Sequence, residues 1–475
     1  MKKIRVLWLS TKRTATAVLL LAAIGTGVLG TELEPLGGKL SGLIEWRAFA
    51  DGEQASKQTV KLTYESAKQT VREGSRVWLG DKLKLSEEVQ VTYTAGNPAV
   101  VRVEPNGLLT GIAAGKTKVT IKVADADYTG NFTIPVEVAA APAAAPLKAV
   151  AEKVNVSGKT YTVQTVTIPK GTPVTSGIAS RAVGKVQPLK DIAANYRADV
   201  AVNGTFFSAY EGPADPYGTI ISDGEIAHAG NYGTTIGFEA DGTAKMDSLR
   251  IRILGGTGGK NNGSGNWYAY FINRTPVEGS NSAILYTPKR GARIGFDYGT
   301  AVTVKAGVVT KIERNVNVAI PKDGFVVVFT GSEERLADRF TIGNEAHYRI
   351  EMSDAAGKPL DWSRVHTAIG AGPRLVKNGA VALDAAAEGF RDDKILTSAG
   401  ARSGIGIKKD GSIIVATVPG ATMKAWAAIM LKLGAYQAMN LDGGASSGLY
   451  VNGKTITAEG RTLSNALLFG SKLRY

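Results

Sequence analysis

Short runs of alternating apolar and polar residues fill the stretch from Leu79 to Val138. Turn signals interrupt these runs at Gly96-Asn97-Pro98, at Pro105-Asn106-Gly107 and at Ala114-Gly115. Strands of this length, closed by such turns, are typical of a small two-sheet sandwich. The pattern therefore predicts an all-β domain over residues 78–138.

The longer stretch from Ala149 to Tyr475 is also rich in β-branched runs that end at Gly, Asn or Asp. Two helices are predicted within it, one over about residues 188–196 and one that begins after Thr422 and ends at Gly434. The second helix carries Trp426, Ile429, Met430 and Leu433 on one face. The predicted fold class is thus multidomain: a small all-β sandwich, then a larger α+β, β-rich domain over residues 149–475.

The start of the chain resembles an export signal, because five cations precede the uncharged stretch from Thr14 to Gly30. A cleaved signal peptide and an uncleaved N-terminal anchor both remain open for residues 1–30. Residues 31–77 are left open between a helix and a linker, and residues 139–148 form a Pro/Ala linker. The glycine-rich stretch over residues 255–265 predicts a surface loop. The expected location is extracellular or at the cell surface.

The chain of 475 residues has no cysteine and only three histidines. This composition excludes disulfides, thiol nucleophiles and thiolate metal sites, and it disfavours a multi-histidine metal centre. We therefore predict no cofactor and no essential transition metal. Calcium or magnesium bound by oxygen ligands among loop aspartates such as Asp215, Asp392 and Asp393 is kept as a weak alternative.

The formal net charge of +14 indicates an anionic partner. No basic and aromatic recognition motif for nucleic acid is found, since the cations are scattered along the chain. For an exported protein, the expected anionic partner is the cell envelope.

Two families share motifs with this chain. The run "NPAVVRVEPNGLLTGIAAGKTKVTIKV", residues 97–123, resembles the bacterial immunoglobulin-like domains of group 2. Six further blocks resemble the phosphodiester glycosidase family in their order: "DVAVNGTFF" (199–207), "DPYGTIISDGEI" (215–226), "HTAIGAGPRLVKNG" (366–379), "ARSGIGIKKDGSIIVATV" (401–418), "LKLGAYQAMNLDGGASSGLYVNGK" (431–454) and "RTLSNALLF" (461–469). This second resemblance implies hydrolysis of a sugar-1-phosphodiester, with a phosphorylated glycan as the substrate.

Asp442 is the predicted catalytic carboxylate, although an Asp-Gly pair on its own is a common turn signal. It would serve either as the base that activates water or as a nucleophile, and the sequence does not separate these roles. Gly443 and Gly444 would let backbone N–H groups approach an anion. Ser446 and Ser447 would add hydroxyl contacts.

Arg374 and Arg402 are the predicted phosphate ligands, because a guanidinium group matches phosphate oxygens. Asn203, Gly204 and Asn440 are predicted to contact the substrate or to orient Asp442. Asp223 and His366 are weaker candidates, since the turn around Asp223 and a lone buried histidine both have ordinary structural explanations.

Two functions follow from these predictions. The first is an exported glycosidase that cleaves a sugar-1-phosphodiester, with N-acetylglucosamine-1-phosphodiester as one candidate, in wall, capsule or exopolysaccharide material. The second is a non-catalytic surface protein that binds anionic glycans.

Overall fold

The computed structural model describes residues 57–125, 127–142, 145–258 and 266–475. The predicted signal or anchor, residues 31–56 and most of the glycine-rich loop lie outside the described residues. Within the described ranges, no helix is long and apolar enough to cross a membrane.

In its described residues, the N-terminal unit, 58–139, consists of strands and turns with one single-turn 3-10 helix, Leu79–Asp81. Its main layers are a four-stranded sheet in the order β3-β11-β9-β6 and a three-stranded sheet in the order β4-β8-β7, with the pairs β1-β10 and β2-β5 beside them. The strands are β1 Gln58–Thr59, β2 Leu62–Tyr64, β3 Gln69–Arg72, β4 Arg76–Trp78, β5 Leu83–Leu85, β6 Val91–Ala95, β7 Val101–Val103, β8 Leu108–Gly111, β9 Gly115–Val123, β10 Tyr128–Thr129 and β11 Asn131–Ala139.

Buried and exposed side chains alternate along β9 and β11, which gives the four-stranded sheet one apolar face. Val119 and Ile121 on β9, with Ile134 and Val136 on β11, bury one face of the sheet, while their neighbours are more exposed. The prediction of a β-rich domain before the larger one is confirmed. Its membership of immunoglobulin-like group 2 stays a prediction.

Residues 58–77 require a correction, because the interpretation of residues 31–77 as helix or linker does not hold there. They contain β1 to β3 and most of β4. Val60, Leu62 and Val71 pack into the same core as β9 and β11. The β unit thus begins about twenty residues before its predicted start.

Over the residues that the structure describes, the larger domain combines five sheets with three α-helices and four 3-10 helices. Their orders are β12-β13-β32-β31-β33-β29-β30, β14-β36-β15-β34-β35, β17-β16-β28-β18-β19, β21-β20-β27 and β22-β23-β26-β24-β25. The elements are β12 Val150–Val156, β13 Lys159–Ile168, β14 Val174–Ile178, α1 Leu189–Asn195, β15 Val200–Asn203, β16 Ile220–Ser222, β17 Glu225–His228, β18 Thr235–Glu239, β19 Ala244–Asp247, β20 Arg250–Thr257, β21 Trp267–Ala269, β22 Phe271–Ile272, β23 Ser282–Tyr286, β24 Thr300–Lys305, β25 Val308–Arg314, β26 Gly324–Thr330, β27 Ala346–Ser353, β28 Val365–Gly370, β29 Arg374–Lys377, β30 Ala380–Val381, α2 Asp393–Leu396, β31 Gly400–Ile407, β32 Ile413–Ala421, α3 Met423–Lys432, β33 Gln437–Asn440, β34 Leu449–Val451, β35 Lys454–Thr457 and β36 Asn465–Phe469.

Helix α3 connects β32 to β33, as predicted. The Thr422 side chain accepts a hydrogen bond of 3.2 Å from the backbone N–H of Ala425 and so caps the helix. Trp426, Ile429 and Met430 are fully buried against the seven-stranded sheet. Because β31 lies between β32 and β33 and is antiparallel to both, the crossover delivers Asp442 to one end of that sheet.

The ends of β15 and β33 meet, although they belong to different sheets. The backbone N–H of Asp442 donates a hydrogen bond of 3.0 Å to the carbonyl of Gly204. Apolar side chains of both sheets, including Val202, Met439 and Leu441, fill the space behind this contact. A shared core therefore fixes the loop that carries Asp442.

Candidate functional site

Asn203 anchors the Asp442 loop through main-chain atoms. Its side-chain Nδ2 donates to the carbonyl of Asp442 at 2.7 Å, and its Oδ1 accepts from the backbone N–H of Gly448 at 3.0 Å. Both polar atoms of the Asn203 amide are hydrogen-bonded and the residue is almost fully buried. Asn203 therefore holds the backbone of the loop in place from the interior of the protein. Gly204 is equally buried, and a Cβ there would lie 2.0 Å from Oδ1 of Asn465.

The Asp442 carboxylate lies at the partly exposed start of this loop. Burial raises the pKa of Asp442 to about 6, against the opposing effects of hydrogen bonds from the Ser446 hydroxyl and the Gly443 N–H and of the charge of Arg461. The Gly443 N–H donates to Oδ1 at 2.9 Å. A carboxylate with this pKa changes its charge near neutral pH and is suited to proton transfer.

Arg402 reaches the same loop from β31 and is 3% exposed. Its Nε donates to the carbonyl of Ala421 at 3.0 Å, while Nη2 donates to the carbonyls of Lys394 and Ser398 at 2.8 and 2.6 Å. Its Nη1 lies 3.7 Å from the position that a Cβ on Gly443 would occupy. The guanidinium is therefore held by three carbonyls, with one N–H group beside the Asp442 loop.

Small residues let the loop lie close to Arg402. A Cβ on Gly443 would lie 2.9 Å from the carbonyl oxygen of Ala401, and Gly444 adopts a φ of +60°. Ser446 and Ser447 are both buried. Within the described part of the chain, the Ser447 hydroxyl has no hydrogen-bond partner.

Asn440 supports the neighbouring strand. Its backbone N–H donates to the carbonyl of Pro373 at 2.9 Å, and its Nδ2 donates to the carbonyl of Gly372 at 3.2 Å. Asn440 is fully buried. Its geometry is that of a structural support under the site.

Arg374 does not approach Asp442, although both residues flank β33. Its Nη1 donates to Oε1 of Gln437 at 2.9 Å, and its Nη2 donates to the carbonyl of Met246 at 2.7 Å. Gln437 begins β33, whereas Asp442 follows its end, so the guanidinium turns in the opposite direction. The expectation that both arginines face Asp442 is corrected: Arg402 reaches the loop and Arg374 does not.

Arg461 is a site residue that the sequence interpretation missed. It is the charged side chain that acts on the Asp442 carboxylate. Its Nη2 donates to the Tyr210 hydroxyl at 2.8 Å, and its guanidinium lies 4.8 Å from the centre of that ring. Tyr210 is 81% exposed. The sequence does contain a signal for Arg461, because this residue begins the block at 461–469 that resembles the phosphodiester glycosidase family.

Three aromatic residues, Phe206, Phe390 and Tyr232, pack together and are called the aromatic wall here; Phe206 lies two residues after Gly204, whose carbonyl bonds to the Asp442 N–H. The ring centres of Phe206 and Phe390 are 6.0 Å apart, and those of Phe390 and Tyr232 are 5.4 Å apart, both in edge-on contacts. Tyr232 lies within electrostatic range of Asp442. Phe390 is buried, so only the half-buried Phe206 and Tyr232 rings could meet the apolar surface of a sugar ring.

Asp223 lies away from the site, between the two domains. Its carboxylate pairs with Arg76 at 2.7 Å, Arg102 at 3.2 Å and Lys289 at 3.0 Å. Burial favours a higher pKa for Asp223, but Arg76, Lys289 and Arg102 outweigh it and hold the pKa below its usual value. Asp223 is therefore an ionised anchor for the N-terminal unit.

His366 belongs to the same junction. Its Nδ1 lies 3.0 Å from Nη1 of Arg76, and burial together with this positive charge lowers the pKa of His366 well below its usual value. Arg76 also stacks over Tyr475 at 3.6 Å. A cavity of about 40 Å³ lies here, lined in part by Arg76, His366 and Tyr475, and it includes no residue of the Asp442 loop.

The loop aspartates considered as ligands of calcium or magnesium have other partners in the structure. Asp215 pairs with Arg290 at 2.5 Å, and Asp392 caps α2 through the N–H of Lys394. Among the residues that the structure describes, no cluster of three or more His, Cys, Asp or Glu side chains could hold a metal ion.

One protein-family model matches the part of the chain that contains the Asp442 loop. Residues 298–470 match the family model described as phosphodiester glycosidase. No curated protein matches the chain.

Solved structures show that the fold is shared with other proteins. A hypothetical protein from Synechocystis is 21% identical with a TM-score of 0.60, and 80% of each chain is covered. A Burkholderia pseudomallei protein is 20% identical with a TM-score of 0.56, over 65% of this chain and 74% of that one. The catalytic domain of zebrafish N-acetylglucosamine-1-phosphodiester alpha-N-acetylglucosaminidase is 13% identical with a TM-score of 0.37, over 69% and 85%.

The family match contains Asp442, Arg402 and Arg461, and its description agrees with the resemblance drawn from the sequence blocks. Over residues 298–470, the chain is thus similar to the phosphodiester glycosidase family.

Proposed function

We propose that this protein hydrolyses a sugar-1-phosphodiester at the Asp442 site. The main support is one arrangement: a carboxylate of raised pKa, subject to the positive charge of Arg461, on a loop that lies beside the buried guanidinium of Arg402. Neither arginine forms an ion pair with a carboxylate among the described residues. Cationic N–H donors near one carboxylate fit a substrate that carries negative charge at its leaving group.

The proposed reaction breaks the bond between the anomeric carbon and the phosphate oxygen. That oxygen leaves with the bonding electron pair as part of a phosphomonoester, and water supplies the new oxygen on the anomeric carbon. Asp442 either accepts the proton of the attacking water or first bonds to the anomeric carbon and is then released by water. Arg402 and Arg461 would stabilise the negative charge that grows on the leaving phosphate.

The surroundings of Asp442 indicate how the substrate would be oriented. The aromatic wall would contact the sugar ring, with Arg461 and the exposed Tyr210 near the leaving group. We propose an N-acetylhexosamine as the sugar, on the basis of the family resemblance. The net charge of +14 and the basic, apolar N-terminus support export and retention at an anionic cell envelope.

Hydrolysis of a panel of sugar-1-phosphodiesters, including N-acetylglucosamine-1-phosphodiester, tests the proposal. Asp442→Asn should reduce turnover by at least about a thousandfold while glycan binding persists. Asp338→Asn, an exposed change on another surface, is the matched control. Binding without turnover by the wild-type protein across the panel would instead support a non-catalytic glycan-binding protein.

A further inference from the structure

Arg274 is a partly buried arginine without an acidic partner. Its guanidinium lies 4.4 Å from the ring centre of Phe271 and 5.9 Å from that of Tyr217. Among the described residues, no side-chain hydrogen bond or ion pair engages it. A guanidinium held between aromatic faces keeps its N–H edges free for a planar or tetrahedral anion.

The nearest candidate acid is already committed. Asp215 accepts from the backbone N–H of Thr275, the residue after Arg274, at 2.6 Å. Its other oxygen pairs with Arg290 at 2.5 Å. The half-exposed guanidinium of Arg274 thus keeps N–H groups that an anion from solution can reach.

Tyr217 connects Arg274 to the proposed catalytic site, because its ring centre lies 5.9 Å from the Arg274 guanidinium. The charges of Asp442 and Arg274 act in opposite directions on the pKa of Tyr232, which agrees with this placement. The backbone N–H of Tyr217 donates to the carbonyl of Phe206 at 2.8 Å, which joins Tyr217 to the aromatic wall. Tyr217 is 39% exposed, so this surface is open to solvent. Arg274 is therefore linked through Tyr217 to Phe206, which lies two residues after Gly204, the residue whose carbonyl accepts from the Asp442 N–H.

We propose that Arg274, with Tyr217 and Tyr232, forms a second anion subsite for an acidic group on the substrate, about one sugar unit from the scissile phosphodiester. The subsite extends the proposed function, on which it rests, to a polyanionic saccharide. Arg402 and Arg461 would bind the scissile phosphate, the aromatic wall would contact the sugar between, and Arg274 would bind the next charge. A second phosphodiester and the carboxylate of an acidic sugar share the required chemistry.

Three synthetic substrates would show whether the subsite prefers a second phosphodiester or a sugar carboxylate. One carries a single N-acetylglucosamine-1-phosphodiester, the second adds another phosphodiester one sugar away, and the third carries a carboxylate at that position. Arg274→Gln should lower the ratio of kcat/KM for a two-anion substrate to kcat/KM for the one-anion substrate by about tenfold, through KM. Arg274→Lys should lower this ratio less, because lysine keeps the positive charge and loses only the planar guanidinium group that can bind two oxygens at once. The substrate that loses most identifies the preferred anion.

Arg252→Gln, an exposed substitution on β20, is the control and should leave the ratio unchanged. Calorimetric titration of the same ligands keeps the test independent of turnover. If the wild-type protein hydrolyses none of them, the proposed function fails, while tighter binding of two-anion ligands to wild type than to Arg274→Gln still supports the subsite. An unchanged ratio and unchanged affinity in a folded Arg274→Gln protein would overturn the subsite. Should circular dichroism show this variant unfolded, an unchanged ratio in Arg274→Lys would overturn it instead.

Discussion

The Asn203 side chain donates a 2.7 Å hydrogen bond to the carbonyl of Asp442, and this bond joins the ends of strands from two different sheets. The two residues are 239 positions apart in the chain. The position of the proposed catalytic carboxylate thus depends on how the two sheets are packed.

Asn203→Ala should impair both stability and catalysis. It would leave the Asp442 carbonyl and the Gly448 N–H without their partner, which costs about 1–3 kcal/mol. Urea unfolding and steady-state kinetics would measure a lower free energy of unfolding and a kcat reduced by at least about tenfold. Asn155→Ala, which removes one long, exposed bond to Thr160, is the control. Unchanged kcat in a destabilised Asn203→Ala protein would contradict the positioning role.

Asp442→Asn should stabilise the protein at pH 7.5. Because the pKa of Asp442 rises to about 6 on folding, ionisation opposes folding, and stability is lost as pH rises from about 4 through 6. The amide removes this penalty, worth about 2 kcal/mol at a partly exposed site. Thermal unfolding should show a higher melting temperature for the variant at pH 7.5 and no gain at pH 4. A gain of equal size at both values would argue against a raised pKa.

The pH dependence of kcat/KM should follow the ionisation of Asp442. As base or nucleophile, Asp442 must be charged, so activity should rise through pH 6 and level off above about pH 7. Measurements between pH 4.5 and 8.5 on a substrate whose charge is constant in that range would show this limb. A fall in activity above pH 6 would assign the residue a general-acid role instead.

Gly443→Ala should reduce activity because the added Cβ would lie 2.9 Å from the Ala401 carbonyl and face Nη1 of Arg402. The loop would have to shift, and displacements of this kind cost one to two orders of magnitude in kcat. Gly420→Ala provides the control, since its added Cβ meets nothing within 4 Å. Equal activity in both variants would show that the approach of the loop to Arg402 is unimportant.

Asp223→Ala should destabilise the protein by about 3 kcal/mol, because it leaves Arg76 buried without its acid. Since the pKa of Asp223 is lowered on folding, its contribution is present above about pH 4 and is lost as pH falls below that value. Denaturant unfolding at pH 7 and pH 3 would measure the difference, with Asp81→Ala at an exposed pair as the control. A large change in KM would contradict a purely structural role.

Local signals account for the parts of the structure that the sequence predicted well. The Thr422 cap and the apolar face of α3 are set by neighbours along the chain. The directions taken by long side chains are not local: Arg374 and Arg402 have similar surroundings in sequence, yet one turns towards Gln437 and the other towards Gly443. Arg274 and Arg461 carry no periodic signal, and only the packing of sheets and loops brings Arg461 within reach of the Asp442 charge and Arg274 to Tyr217.

The hydrogen bond between Asn203 and Asp442 also sets a lower limit on any functional fragment. The segment that matches the family model begins at residue 298, and β15 with Asn203 ends almost a hundred residues earlier. Expressed alone, that segment would lack the strand on which its own carboxylate-bearing loop rests. Truncation experiments should therefore retain everything from β12 onward, because β12 and β13 complete the sheet that carries β33. Inactivity of the shorter piece would say nothing against its catalytic residues.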